Sequence, residues 1–165
     1  MVTMKKYRGL FFAVLMISII NTANAEMAIL PFTKDSYSEI KAQYQDKPFI
    51  LVFWSESCSY CMKELALFGK LYKQYPEVEW VVVATDPFLE DEIVNNILSR
   101  SQLELKTTWV FAEQFPEKIY YKVDKRWRGE LPATHFFDRN NNEIRHMGIV
   151  KEDELVQWLD EQTAL

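Results

Sequence analysis

The stretch PFILVFW, Pro48 to Trp54, constrains the fold of this chain more than any other segment. It is apolar at every position, rich in β-branched and aromatic side chains, and shows no polar alternation. A strand of that kind is buried on both faces, so the sheet it enters must be covered by helices on both sides. An amphipathic helix follows: CMKELALFGKLYKQY sets Leu65, Phe68, Leu71, Tyr72 and Tyr75 at helical intervals. VEWVVVATD (Val78 to Asp86) then reads as a second buried strand. Strand, helix, strand in that order favours parallel pairing.

The remaining elements extend this pattern. Ahead of the first strand, SYSEIKAQYQ places Tyr37, Ile40 and Tyr44 on one helical face, with Asp35 or Ser36 as its N-cap. EDEIVNNILSRS predicts a helix, KTTWVFA a third strand and EQFPEKIYYKV a short helix. PATHFFD and NEIRHMGIV read as two strands joined by the turn residues of DRNNN. KEDELVQWLDEQ closes the chain as a helix with Leu155, Val156 and Leu159 inward and acidic residues in its first turn. The expected fold is α/β: a central mixed β-sheet flanked by helices on both faces. Residues 87–105, inserted between strands, are where specificity is expected, with no residue assigned.

A chain of 165 residues suits one domain. Lys5, Lys6 and Arg8, the apolar run from Leu10 to Ile20, and Ala23-Asn24-Ala25 together read as a signal peptide over residues 1–25. The apolar run is shorter than the roughly 20 residues that span a bilayer. Cleavage is expected near Ala25, leaving residues 26–165 as the domain, periplasmic or otherwise exported. Cleavage takes the basic count from 19 to 16 against 24 acidic residues, so the net charge moves from −5 to −8. That balance argues against a nucleic-acid partner. The expected state is a monomer.

Cys58 and Cys61, the only cysteines, stand in FWSESCSYCMKEL, just past the buried strand and at the start of the helix. A structural staple closing so small a loop would remove little unfolded-state entropy. A helix N-terminus, by contrast, stabilises a thiolate, the form that attacks disulfides. Cys61, one turn later, is placed to resolve a mixed disulfide.

The segment ILVFWSESCSYCMKEL resembles the active-site region of the thioredoxin superfamily, most closely its exported TlpA/ResA-like thiol–disulfide oxidoreductases. In that resemblance Trp54 matches the tryptophan of an FWA stretch, Cys58 and Cys61 the redox pair, and Glu64 an acidic residue after the second cysteine. ELPATHFFDRNNNEIRHMG resembles the family's cis-proline loop and hairpin, with Pro132 as the cis-proline, Leu131 before it and Gly148 ending the last strand. The likeness covers residues 33–162. It implies a thioredoxin-like fold, catalytic Cys58 and Cys61, support from Pro132, Leu131, Glu64, Trp54 and Tyr60, and no cofactor beyond the redox-active disulfide. It also implies protein thiol or disulfide substrates and a membrane electron donor of the DsbD/CcdA kind.

The departures from the family pattern bear on direction. Ser57 replaces the tryptophan that usually precedes the first cysteine, and Val52 replaces a buried aspartate. Glu64 either takes over that aspartate's proton-transfer role or is a solvated helix carboxylate. Ser59-Tyr60 between the cysteines contains no histidine, which together with Glu56 and Glu64 points to a reducing pair. An oxidase or isomerase is the alternative, as is a copper-binding assembly protein using the dithiol as ligands. A Cys2His2 zinc set with His135 and His146 matches no standard spacing. A fold-only interaction module would instead use the basic run Lys118, Lys122, Lys125, Arg126 and Arg128, which otherwise reads as a solvated helix face and turn. Trp127 is either core or contact surface.

Overall fold

The computed structural model describes residues 27–164, so the expected signal peptide lies outside it. Six strands form one sheet: β1 (Ala28–Phe32), β2 (Phe49–Trp54), β3 (Glu79–Ala84), β4 (Thr107–Phe111), β5 (Ala133–Phe137) and β6 (Glu143–Met147), in the order β1-β4-β3-β2-β5-β6. The first four are mutually parallel, while β5 runs antiparallel to β2 and β6 antiparallel to β5. Five helices intervene: α1 (Ser36–Gln43), α2 (Ser59–Leu71), α3 (Asp91–Arg100), α4 (Glu117–Val123) and α5 (Glu152–Thr163). This is the expected mixed sheet, with one addition. β1 was not anticipated from the sequence, because AILPF is short, half exposed and carries Pro31, which suits only an edge.

Each face of the sheet has its own core. One holds Ile50, Val52, Trp54, Phe136 and the apolar sides of α2, α3 and α5. The other holds Phe49, Leu51, Phe53, Phe111 and Phe137 beneath α1 and α4. β2 serves both, and all six of its residues are buried. Each such Leu or Phe contributes about 1.5–3 kcal/mol of transfer free energy. Trp127 belongs to the second core, 5% exposed, with its indole N–H donating to the Glu130 carbonyl at 2.9 Å. Gly69 lets α2 approach the end of α3: a Cβ there would fall 1.7 Å from the Ser101 carbonyl oxygen.

Strand direction then determines where the loops meet. β2, β3 and β6 end at the same edge of the sheet at which β5 begins, because Phe53 pairs with Ala133 and Ala133 with Met147. The Cys58 loop, the Asp86 loop, Leu131-Pro132 and Gly148 therefore share one edge. Among the described residues, no helix is long and apolar enough to cross a membrane.

Candidate active site

Cys58 is the N-cap of α2, and its sulfur accepts the Cys61 backbone N–H at 3.1 Å. The two cysteines form a disulfide with Cα atoms 5.2 Å apart. Exposure separates their roles: Cys61 is fully buried, whereas Cys58 is partly open. A sulfur at a helix N-terminus sits against unpaired N–H groups and the positive end of the dipole, which favours negative charge there once the bond is reduced.

The loop that carries Cys58 is anchored by a residue sequence reasoning missed. Asp86, just past β3, accepts from the Ser55 hydroxyl at 2.8 Å and from the Glu56 N–H at 2.8 Å. Thr85 completes the tie, since its N–H (2.8 Å) and its hydroxyl (3.1 Å) both donate to the Trp54 carbonyl. An acid directly after a buried parallel strand was the available signal, because residues at such strand ends face the crevice beyond the sheet.

The residues singled out from the sequence divide by environment. Trp54 is fully buried in the core beneath α2. Tyr60 is 60% exposed beside the cysteines, with the Lys63 ammonium 5.4 Å from its ring centroid. The Leu131–Pro132 peptide is cis. Leu131 packs against both cores, and the Pro132 carbonyl accepts the Gly148 N–H at 2.9 Å. Beside this loop an open cleft of about 560 Å³ is lined by Asp124, Arg126, Trp127, Glu130, Arg145 and Met147.

Glu64 overturns one of its two readings. It is not a solvated helix carboxylate but is fully buried, one turn beyond Cys61 on the same face of α2. One oxygen accepts the Val150 N–H at 2.9 Å and the other accepts the Thr134 hydroxyl at 3.1 Å. Burial pushes the carboxyl up from its ordinary value, against the pull of those two bonds and of His146.

The two histidines do not join the cysteines. His135 lies on the opposite face of the sheet, where its Nδ1–H donates to Glu143 at 2.8 Å and Tyr37 donates to the same carboxylate at 2.6 Å. The Cys2His2 zinc set is therefore not assembled. Among the described residues, no group of three or more His, Cys, Asp or Glu side chains is placed to hold a metal. The basic run is partly engaged: Arg126 pairs with Asp124, Arg128 donates to the Lys125 carbonyl, and Lys125 lies over the Tyr121 ring.

A family model described as a thioredoxin-like domain matches residues 36–163. The chain belongs to the thioredoxin-like domain family. Solved structures agree on this fold. A secreted Mycobacterium tuberculosis disulfide oxidoreductase, described as homologous to E. coli DsbE, is 20% identical, with a TM-score of 0.59 over 73% of this chain and 85% of that one. A thioredoxin-family thiol:disulfide interchange protein from Chlorobium tepidum is 14% identical, with a TM-score of 0.60 over 74% and 83%. StoA from Bacillus subtilis is 19% identical, with a TM-score of 0.51 over 69% and 83%. No curated protein matches the chain. Within the thioredoxin-like family, the Cys58–Cys61 disulfide, the cis-proline and the buried Glu64 together form the candidate active site.

Proposed function

We propose that the chain is an exported thiol–disulfide oxidoreductase that reduces disulfides in other exported proteins. The observation that carries this reading is the asymmetry of the disulfide, with a partly open Cys58 sulfur at a helix N-terminus and a fully buried Cys61 behind it.

In the reduced enzyme the Cys58 thiolate attacks one sulfur of the substrate disulfide. A mixed disulfide forms and the other substrate sulfur leaves as a thiolate. Cys61 then loses its proton and attacks the Cys58 sulfur. The second substrate thiolate leaves, both substrate thiolates take protons from solvent, and two electrons have passed from the dithiol to the substrate. Glu64 stands three residues beyond Cys61, about 5–6 Å away by helix geometry. Its raised carboxyl suits it to take the Cys61 proton. Leu131 and Pro132 offer backbone to an extended substrate segment, and Tyr60 and Trp54 form part of the rim and floor. Because the exported compartment is oxidising, turnover needs a donor; a membrane reductase of the DsbD/CcdA kind fits the resemblance.

The direction is tested by mixing the pre-reduced enzyme with a protein disulfide and, separately, its disulfide form with a reduced unfolded protein. The reading expects the first reaction to be the faster. A faster second reaction would assign the chain to disulfide formation.

A further inference from the structure

The segment 87–105, where the sequence predicts specificity, opens on a turn whose third residue runs against its own backbone. The Leu89 N–H donates to the Asp86 carbonyl at 3.3 Å, Pro87 takes the second position, and Phe88 takes the third with a φ of +57°. Proline followed by a positive φ is the signature of a type II turn, whose third position favours glycine or asparagine. Phenylalanine there carries a backbone cost that glycine avoids. Nor does the ring gain packing: it belongs to neither core and is 63% exposed. The Phe88 N–H, donating to the Phe111 carbonyl at 2.9 Å, holds the turn against the end of β4.

This turn adjoins the reactive sulfur. It follows β3, the immediate neighbour of β2, and its Asp86 holds Ser55 and Glu56 of the Cys58 loop. Two residues span at most about 7 Å, so an extended segment of about six residues reaches from Cys58 to Phe88. That direction leads away from the cis-proline loop, which lies on the β5 side of β2. Beside the ring an open cleft of about 340 Å³ is lined by Leu30, Leu89 and Val110, with Glu90 and Asp91 at its edge. Glu56, Glu90 and Asp91 are exposed. Residues 86–99 include no lysine or arginine, and Lys34, just past β1, is paired with Asp35.

We propose that Phe88 is a specificity-determining residue: with the cleft beside it, it takes an apolar side chain of the substrate segment that flanks the cysteine attacked by Cys58, and Glu56, Glu90 and Asp91 favour lysine or arginine in that segment. This rests on the exchange reaction proposed above and names its substrate class, an extended protein segment that is apolar and basic beside its disulfide. The occupant follows from the reaction. A segment that brings its sulfur to Cys58 runs toward the cis-proline loop on one side and toward this turn on the other. An exposed aromatic there releases water when a substrate side chain covers it, which is how exposed apolar surface serves recognition. The carboxylates attract cationic segments and repel acidic ones.

The test follows the first attack. Short peptides with one cysteine, joined by a disulfide to thionitrobenzoate, are mixed with the reduced enzyme. The Cys58 thiolate attacks the peptide sulfur and thionitrobenzoate leaves as a coloured thiolate. Phenylalanine and lysine flank the cysteine in one peptide; serine replaces phenylalanine in a second, and glutamate replaces lysine in a third. The mixed disulfide of mercaptoethanol and thionitrobenzoate has no flanks. Wild type should attack the first peptide about fivefold to tenfold faster than its serine counterpart, the effect of one partly covered apolar side chain. Phe88→Gly suits the turn, so the fold is kept. It should lose that preference while attacking the mercaptoethanol disulfide at the wild-type rate, and Phe88→Tyr should keep it. Glu90→Gln with Asp91→Asn should narrow the preference for lysine over glutamate, as should added salt. Equal rates for the peptides in wild type, a preference for phenylalanine retained or an equal slowing on all substrates in Phe88→Gly, or a lysine preference untouched by the charge variant would overturn the proposal and leave the exchange chemistry standing. No attack on any of the four disulfides would contradict the exchange reaction itself, and this inference with it.

Discussion

Cys61→Ala is expected to hold substrates on Cys58 as stable mixed disulfides, visible as adducts on non-reducing gels that vanish on reduction. The expected effect is large because Cys61 attacks within the molecule. Well-placed intramolecular groups reach effective molarities of about 10⁵ M or more, whereas a competing thiol in solution is millimolar. Even a small fraction of that advantage leaves resolution slowed by more than about 10³-fold. Cys61 is fully buried, and alanine removes only one sulfur from the core, so the fold is kept while the internal attacking group is lost. Absence of adducts, with Cys58 still open to alkylation, would contradict the assigned order of attack.

The second large effect concerns stability. Glu143 gathers Tyr37, His135 and Arg145 around one carboxylate, and Arg145 continues to Asp124, so β6 is bound to both α1 and the segment after α4. Burial pushes the Glu143 carboxyl up, but the hydrogen bonds from His135, Arg145 and Tyr37 outweigh it and hold the group well below the usual carboxylate range. Glu143→Ala removes the acceptor shared by the buried Tyr37 hydroxyl and His135 imidazole, leaves them only each other at 3.1 Å, and strips Arg145 of its carboxylate partner. Breaking a buried pair in this way costs about 3–5 kcal/mol. The low end applies here, because the carboxylate side chain keeps 15% exposure and Arg145 35%. A loss of about 3 kcal/mol lowers Tm by about 10 °C in a domain of this size. The pH dependence follows from the depressed carboxyl. Its stabilisation is complete above the unfolded value of 4.5 and is lost as pH falls below it toward the folded value. Thermal unfolding of wild type should therefore weaken with acid below about pH 4.5, and Glu143→Gln should flatten that limb. Equal acid sensitivity in the two proteins would show that Glu143 is not the source of the acid limb.

Cys58 and Cys61 were legible because a helix begins where an apolar strand ends, a local pattern that spacing reveals. The covering of both sheet faces was legible for the same reason, since PFILVFW has no polar face to offer water. β1 escaped because its five residues are half exposed and gain their stability from pairing with β4, a partner far along the chain. Asp86, Glu64 and Glu143 are carboxylates whose chemistry depends on what the fold brings to them. From spacing alone, Glu64 on α2 is indistinguishable from an exposed helix glutamate; its burial becomes evident only when β5 and the turn after β6 close over it. The Tyr37–His135–Glu143 network likewise joins residues 98 and 106 positions apart, beyond any local periodicity.

If Cys58 and Cys61 are a dithiol poised to give electrons, as proposed, the reduction potential of the pair reports it most directly. Residues 26–165 would be equilibrated against a dithiothreitol or glutathione series and the thiols trapped at each poise. A two-electron couple near that of thioredoxin, about −270 mV, is expected. A value near −120 mV, at the strongly oxidising end, would contradict it and make the protein a source of disulfides.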